Sequence, residues 1–238
     1  FKIGNLPFYT YGVFLVLGVA IASIYMFVQA KRQEKNTEVV FDLVIFTLLA
    51  GIISARATYF IIYRSQFDSF TDLFRIQEGG LVSWGGFAFA IATFLVVLRI
   101  YKEKPLPWLD VFGVSAILGL GVGRLGSFLS GEFAGRATDF KLAIDGVHPV
   151  TLYESMILII LFMIYAILYQ KKIFNKDGYY FFLVLLTYSL IRFVLDFFRV
   201  DSVVLFNLTI TQIISGAILL VAITLYIILM ILLKKRRS

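Results

Sequence analysis

The sequence contains no cysteine among its 238 residues. Disulfides, thiolate metal sites and a thiol nucleophile supplied by the chain itself are therefore excluded. Histidine occurs once, at His148, so a multi-histidine metal centre within one chain is excluded as well. Only 16% of the residues are charged, whereas a typical soluble domain has about 25%. So few charged residues indicate that water does not surround the folded chain on all sides. We predict neither a metal nor a cofactor.

Apolar residues are abundant instead, at 60% of the chain, and they recur in long runs separated by short polar breaks. A run of about 20 such residues matches a hydrocarbon core about 30 Å thick. The sequence therefore predicts an all-α polytopic integral membrane protein, with one transmembrane domain over residues 1–238 and a small outer segment at about 131–149. The seven predicted spans lie at about 9–30, 39–63, 80–100, 109–130, 150–170, 179–199 and 208–233.

The net charge of +7 does not indicate nucleic-acid binding, because most cations lie in the breaks between apolar runs. Thirteen Lys and Arg fall in the breaks on one side of the membrane and five on the other. By the positive-inside rule the C-terminus is cytoplasmic and the N-terminus is outside. The start of the chain has neither a basic region nor an A-x-A-like cleavage site, so we expect no removable signal peptide.

Four arginines lie inside the predicted spans or at their ends. They are Arg56, Arg124, Arg192 and Arg199. Placing an arginine in the middle of a span costs about 2.5–3.5 kcal/mol. Each needs a buried partner or a function. Acids within the spans are few, namely Asp42, Asp110, Glu154 and Asp196, and the first two lie near cytoplasmic ends, where they can reach water. The arginines therefore form either buried ion pairs or a site for an anion.

Span six carries a polar stripe. Tyr188, Arg192, Asp196 and Arg199 are spaced four, four and three, so they share one helical face. Arg192 can pair with Asp196, which would leave Arg199 unmatched. Such a stripe must face protein or a water-filled cavity. Because a guanidinium forks onto phosphate oxygens, the stripe predicts a site for an anionic lipid headgroup.

Span four carries a seam of small residues beside Arg124. Its members, Ser115, Gly119, Gly123, Ser127 and Gly131, recur at every fourth position. Close packing against a neighbouring helix explains the seam itself. Arg124 would then be mounted rigidly, as a headgroup clamp requires. The span is followed by Glu132 and Arg136 at the predicted outer surface.

Two further motifs have both a structural and a functional interpretation. In EGGLVSWGG (78–86), two glycine pairs flank Trp84. The segment is either a flexible entry to span three with an interfacial tryptophan, or a loop whose glycines let backbone approach a ligand. His148 is followed six residues later by Glu154, and it is either a hydrogen-bonded structural residue or a catalyst.

These segments resemble one family, the prolipoprotein diacylglyceryl transferases of bacteria. The similar segments are GRLGSFLSGEFAGRATD (123–139), HPVTLYES (148–155) and LTYSLIRFVLDFFR (186–199). Tyr11 with Gly12, Arg56 and EGGLVSWGG also fall where the family has counterparts, in the same order. The family's topology, seven spans with an outer N-terminus, agrees with the prediction made from the charges.

The resemblance implies transfer of the diacylglyceryl group of phosphatidylglycerol to the lipobox cysteine of a prolipoprotein signal peptide. A thioether would form and glycerol phosphate would be released, in a bacterial cytoplasmic (inner) membrane with the active site toward the outer leaflet. Arg124 and Arg192 would stabilise the leaving phosphate. His148 and Glu132, with the Tyr11 hydroxyl, would be candidate proton acceptors. The expected substrate contacts are Tyr11, Arg56, Gly79, Gly80, Trp84, Gly85, Ser127, Glu154, Tyr188, Asp196 and Arg199.

The sequence departs from the family pattern at four positions. Ser127 and Ser130 stand where the family has asparagines, and Asp196 stands for a glutamate. Trp84 stands where many members have a histidine proposed as the general base, and an indole cannot take up that proton. Two alternatives therefore stay open, a non-catalytic phospholipid-binding paralogue and a small-solute transporter, although no repeat pair of the transporter kind is present.

Overall fold

A computed structural model describes residues 2–3, 6–7, 10–64, 67, 69–74, 83–132, 135–200, 203–205 and 208–235. These residues contain seven α-helices and two short antiparallel hairpins. The helices are α1 (Thr10–Arg32), α2 (Glu38–Ile62), α3 (Ser83–Ile100), α4 (Pro105–Leu129), α5 (Val150–Gln170), α6 (Tyr179–Leu195) and α7 (Ile210–Lys235). The hairpins pair β1 (Lys2–Ile3) with β2 (Leu6–Pro7), and β3 (Val203–Leu205) with β4 (Leu208–Thr209).

The prediction of an all-α polytopic membrane protein is confirmed. Helices α1, α2, α4, α5 and α6 are long and apolar enough over their described residues to cross a membrane. Helices α3 and α7 contribute shorter apolar stretches, Ala88–Ile100 and Ile210–Thr224. The largest differences from the predicted spans are four residues. Helix α4 begins at Pro105, and α6 ends at Leu195 and continues as a 3-10 turn, Asp196–Phe198.

The chain divides into two compact units. Unit 1 comprises residues 1–25 and 106–238, and unit 2 comprises residues 26–105. Most of the residues predicted to form the site belong to unit 1, whereas Arg56 and the EGGLVSWGG segment belong to unit 2.

In unit 1, small residues let α4 approach two other helices. A Cβ on Gly18 would lie 2.5 Å from the Gly119 carbonyl oxygen, so α1 and α4 cross almost backbone to backbone. On another face of α4, Ser155 of α5 donates a 2.8 Å hydrogen bond to the Gly121 carbonyl oxygen. Of the predicted seam residues, Gly119 makes the close contact with α1. The contact with α5 is made by Gly121, which lies between two seam positions.

Asp110 of α4 binds the start of α6. Its carboxylate accepts hydrogen bonds from the backbone N–H groups of Gly178 at 2.7 Å and Phe181 at 2.8 Å. A carboxylate is favourable there, because the first N–H groups of a helix lack intrahelical partners. The side chain is only 4% exposed, so the expectation that Asp110 reaches water is wrong.

In unit 2, α2 and α3 pack through small side chains. A Cβ on Gly86 would lie 2.8 Å from the Gly51 carbonyl oxygen, and one on Gly85 would overlap Thr58. Asp42 of α2 accepts a 2.7 Å hydrogen bond from the Tyr101 hydroxyl beyond the end of α3. That bond raises the pKa of Tyr101, because losing the proton would break it and place a second negative charge beside the carboxylate.

Candidate functional site

A carboxylate of α5 lies between two arginines in unit 1. Glu154 Oε2 is 3.0 Å from Arg124 Nε on α4 and 2.9 Å from Arg192 Nη1 on α6. The Glu154 side chain is fully buried, and a buried carboxylate requires partners of opposite charge. Glu154, predicted as a substrate contact, therefore has a position that suits orienting the two arginines.

Two tyrosines complete the surroundings of Arg124. The Tyr188 hydroxyl of α6 forms a hydrogen bond with the Arg124 guanidinium. Tyr11 of α1 is close enough to interact electrostatically with the same guanidinium, and its side chain is 41% exposed. Arg124 is thus surrounded by side chains from three other helices, α1, α5 and α6, which lie far apart in sequence.

The polar stripe of span six continues from α6 into the 3-10 turn. Asp196 Oδ1 lies 3.5 Å from Arg199 Nε and 3.9 Å from Arg192 Nη2. The expectation that Arg199 is unmatched is wrong, because the turn after Leu195 brings its guanidinium back to Asp196. Arg192 has its shorter ion pair with Glu154 rather than with Asp196.

The arginine cluster consists of Arg124, Arg192 and Arg199 with Glu154 and Asp196. Its carboxylates are buried more deeply than its arginines. The arginine side chains are 30%, 10% and 18% exposed in that order, whereas both carboxylates are completely buried. Three guanidiniums against two carboxylates leave a net charge of +1. The cluster therefore offers fixed cationic groups to an anion that approaches from the exposed side.

Two residues that the sequence analysis did not single out, Thr209 of β4 and Gln212 of α7, lie beside the cluster. The Thr209 hydroxyl donates a short hydrogen bond to Asp196, and Thr209 forms reciprocal hydrogen bonds with Gln212. The sequence did contain a signal for the second contact. Thr-x-x-Gln before an apolar run is the capping-box pattern of a helix start.

The outer segment lies across the end of α6. Arg136 N–H donates to the Phe198 carbonyl oxygen at 2.8 Å, and Arg136 Nε donates to the Arg199 carbonyl oxygen at 2.9 Å. A Cβ on Gly135 of this segment would overlap the His148 carbonyl oxygen. The segment thereby holds the backbone that carries Arg199.

Two of the predicted proton acceptors, His148 and Glu132, belong to this segment. The centroids of the His148 and Phe198 rings are 5.1 Å apart, and His148 Nδ1 is 3.5 Å from the Tyr153 hydroxyl. Glu132 is exposed, and its carbonyl oxygen accepts a 2.8 Å hydrogen bond from Thr151. Ser127 is 2% exposed in the last turn of α4, one turn beyond Arg124. Roles in catalysis or binding for these residues stay predictions.

The remaining predicted contacts belong to unit 2 or lie outside the described residues. Arg56 is 4% exposed and donates to the carbonyl oxygens of Leu73 at 3.0 Å and Asp72 at 2.7 Å, so it fixes the turn after α2. Gly85 packs against Thr58, which explains this glycine by helix packing. Trp84 lies in the first turn of α3. Gly79 and Gly80 lie outside the described residues.

Comparison with known proteins places these features in one family. The family model described as prolipoprotein diacylglyceryl transferase matches residues 1–228. A phosphatidylglycerol–prolipoprotein diacylglyceryl transferase of Finegoldia magna is 31% identical, over 95% of this chain and 93% of the relative. Proteins of the same name from Clostridium perfringens (transferase 1) and Clostridium botulinum are each 29% identical, over 100% and 90% of this chain and 96% and 90% of the respective relative. The chain therefore belongs to the prolipoprotein diacylglyceryl transferase family.

Proposed function

We propose that this chain transfers the diacylglyceryl group of phosphatidylglycerol to a prolipoprotein, with Arg124, Arg192 and Arg199 binding the headgroup phosphate. The observation that supports these roles is the arginine cluster, in which two buried carboxylates lie against three arginine side chains that are 30%, 10% and 18% exposed. Membership of the family gives the reaction and its two substrates. The charge of the cluster matches the lipid, because a phosphodiester carries one negative charge and the cluster has a net charge of +1.

In the proposed reaction the three arginines first bind the lipid phosphate and then stabilise it as the leaving group. The thiol sulfur of the prolipoprotein cysteine attacks the glyceryl carbon that bears the phosphate, a C–S bond forms, and the C–O bond to phosphate breaks. The electron pair of that bond leaves with glycerol phosphate, on which negative charge grows. Preorganised guanidiniums stabilise this charge more than that of the bound lipid, which lowers the barrier.

The nucleophile belongs to the substrate, which agrees with the lack of cysteine in this chain. A free thiol has a pKa of about 8.5, and nearby cations lower it. The arginine cluster therefore favours the thiolate as well as the leaving group. The thiol proton leaves to His148, Glu132 or the Tyr11 hydroxyl, the predicted acceptors, and all three belong to unit 1.

The family is one of bacterial membrane enzymes, and we assign this chain to the cytoplasmic membrane with the arginine cluster toward the outer leaflet. The positive-inside distribution of Lys and Arg supports this orientation. A lipobox cysteine at the outer end of a signal peptide would then reach the cluster from the membrane plane.

A mass assay with purified protein tests the reaction. Phosphatidylglycerol and a lipobox peptide are incubated with the enzyme, beside the same peptide with its cysteine replaced by serine. We expect the cysteine peptide to gain one diacylglyceryl unit and the serine peptide to gain none. Bound lipid with no modified peptide would instead indicate a non-catalytic phospholipid-binding protein.

The same assay tests the arginines. Arg124→Ala should lower kcat by roughly 10²–10³-fold, the usual cost of losing one preorganised charge donor. Lys141→Ala is the matched control, since Lys141 is an exposed cation of the outer segment. Full transfer by Arg124→Ala, at a rate equal to that of Lys141→Ala, would overturn the role proposed for Arg124.

A further inference from the structure

Three buried polar atoms in and beside the arginine cluster have no hydrogen-bond partner among the residues that the structure describes. They are Glu154 Oε1, Asp196 Oδ1 and Gln212 Nε2. The three residues are 0%, 1% and 2% exposed in that order. Because buried polar atoms in proteins are nearly always hydrogen-bonded, these three indicate a ligand that supplies the bonds.

The three atoms belong to one connected network. Arg192 Nη1 lies 2.9 Å from Glu154 Oε2, and Arg192 Nη2 lies 3.9 Å from Asp196 Oδ1. Asp196 also accepts a hydrogen bond from the Thr209 hydroxyl, and the Thr209 backbone N–H donates to Gln212 Oε1 at 3.0 Å. That last bond fixes the Gln212 amide, so its NH2 group is the part that remains to bind a ligand.

The unpartnered atoms comprise two acceptors and one donor, because a carboxylate oxygen accepts hydrogen bonds and an amide NH2 group donates them. A hydroxyl group suits both kinds, since it donates one hydrogen bond and accepts others. An anion would suit only the amide, and a cation would suit only the carboxylates. The set therefore matches a neutral group that carries two hydroxyls.

The depth of these atoms matches the order of the groups in phosphatidylglycerol. The three arginine side chains are partly exposed, whereas both carboxylates are completely buried. In the lipid, the phosphate lies between the diacylglyceryl group and a second glycerol, which carries two hydroxyls. When the arginines bind the phosphate and the acyl chains remain toward the membrane lipid, that second glycerol is directed at the deeper carboxylates.

We propose that Glu154 Oε1, Asp196 Oδ1 and Gln212 Nε2 bind the hydroxyls of the headgroup glycerol and thereby select phosphatidylglycerol. The two carboxylates accept the hydroxyl hydrogens, and the Gln212 amide donates to a hydroxyl oxygen. This inference rests on the phosphate-binding role proposed above for the arginines. A lipid without these hydroxyls leaves all three atoms buried and unpartnered, and a site built to bind a hydroxyl rejects such an analogue strongly.

A lipid analogue tests this hydroxyl subsite. Phosphatidylpropanol has the phosphate, the charge and the three headgroup carbons of phosphatidylglycerol but neither hydroxyl. With the full-length protein in mixed micelles, we expect kcat/KM for transfer from phosphatidylpropanol to be at least about 100-fold lower than from phosphatidylglycerol. Equal values of kcat/KM for the two lipids would overturn the inference.

Gln212→Glu tests the residue that donates to the glycerol. Glutamate keeps the acceptor for the Thr209 N–H and so the capping box, but it removes the amide donor. Three acceptors would then face only two hydroxyl hydrogens. The preference for phosphatidylglycerol over phosphatidylpropanol should therefore fall roughly tenfold to a hundredfold.

Gln170→Glu is the matched control, since it makes the same change at an exposed glutamine at the end of α5. It should keep the preference of the parent protein. A purely structural role for Gln212 would lower transfer from both lipids by the same factor in Gln212→Glu. Such an unchanged preference would overturn the role proposed for Gln212.

Failure of this inference and failure of the proposed function give different results. If Arg124→Ala loses transfer while the parent protein uses both lipids equally, the phosphate-binding role stands and only the hydroxyl subsite fails. If the parent protein transfers nothing from either lipid, the proposed reaction fails. Binding of the two lipids, measured by native mass spectrometry, then decides the subsite: tighter binding of phosphatidylglycerol would support it, and equal binding would overturn it.

Discussion

At the scale of single residues, Glu154 joins two of the three arginines of the cluster. Its carboxylate binds Arg124 and Arg192 and is completely buried, so these two guanidiniums compensate its charge. Glu154→Gln keeps the shape but removes the charge, and two adjacent guanidiniums are left without that carboxylate. Breaking a buried ion pair in this way costs about 3–5 kcal/mol. We expect a lower melting temperature in detergent together with loss of transfer.

Asp139→Asn is the control for that measurement, since Asp139 is an exposed acid of the outer segment. It should melt at the temperature of the parent protein. A Glu154→Gln variant as stable and active as Asp139→Asn would show that Glu154 does not hold the arginines in place.

Glycine is required at position 135 because there is no room for a Cβ, and not because of its backbone conformation. A Cβ at this position would overlap the His148 carbonyl oxygen, which belongs to backbone and cannot turn aside. Gly135→Ala must therefore displace the outer segment, including the hydrogen bond from Arg136 to the Phe198 carbonyl oxygen. We predict a large loss of transfer activity, measured per amount of folded protein.

Gly216→Ala in α7 is the comparison for Gly135→Ala, because the nearest atom to its added Cβ is Phe193 Cε2 at 3.9 Å. It should be neutral, or stabilising by up to about 1 kcal/mol from helix propensity. If Gly135→Ala behaves like Gly216→Ala, the outer segment does not control the position of Arg199.

At the scale of elements, α6 is held at both ends by side chains of other elements. Asp110 of α4 binds its first turn, and Thr209 at the start of α7 binds Asp196 at its end. The helix between them carries Tyr188 and Arg192. The height of Arg192 relative to Glu154 is therefore set by contacts at the two ends of α6.

Asp110→Ala should loosen α6 at its start. The Gly178 and Phe181 N–H groups would lose their acceptor in a buried place, which costs about 1–2 kcal/mol for a helix cap. We expect a lower unfolding temperature and a moderate loss of transfer. Asp177→Ala, an exposed acid next to Gly178, should change neither, and equal behaviour of the two variants would contradict a capping role for Asp110.

The spacing of residues within one helix was readable from the sequence, whereas partners on different helices were not. The polar stripe of span six follows from helical periodicity, and its pattern resembles the family. The pairing of Arg192 with Glu154 joins residues 38 positions apart, which no local period encodes. The pairing of Arg199 was missed because the helix becomes a 3-10 turn at Asp196, and propensities do not fix helix ends.

At the scale of the whole molecule, the usual distribution of polar and apolar groups is reversed. Large apolar side chains such as Val16, Ile53 and Leu220 are more than 60% exposed, while Glu154 and Asp196 are among the most buried residues. Apolar surface of this kind suits lipid, and buried charge in a membrane protein indicates a functional site. The arginine cluster is therefore a largely buried polar site within unit 1 of a chain whose exposed apolar side chains suit the hydrocarbon core.

The orientation of the molecule gives the last prediction, and the lack of cysteine makes it simple to test. A single cysteine can be introduced at Asp139 in the outer segment or at Asn175 before α6, both exposed positions. In intact cells, a membrane-impermeant maleimide should label Asp139→Cys, while Asn175→Cys should react only after the membrane is permeabilised. The parent protein, without any thiol, is the blank. Labelling of Asn175→Cys but not Asp139→Cys in intact cells would reverse the topology. The arginine cluster would then face the cytoplasm, where the proposed approach of a lipobox cysteine from the outer leaflet could not occur.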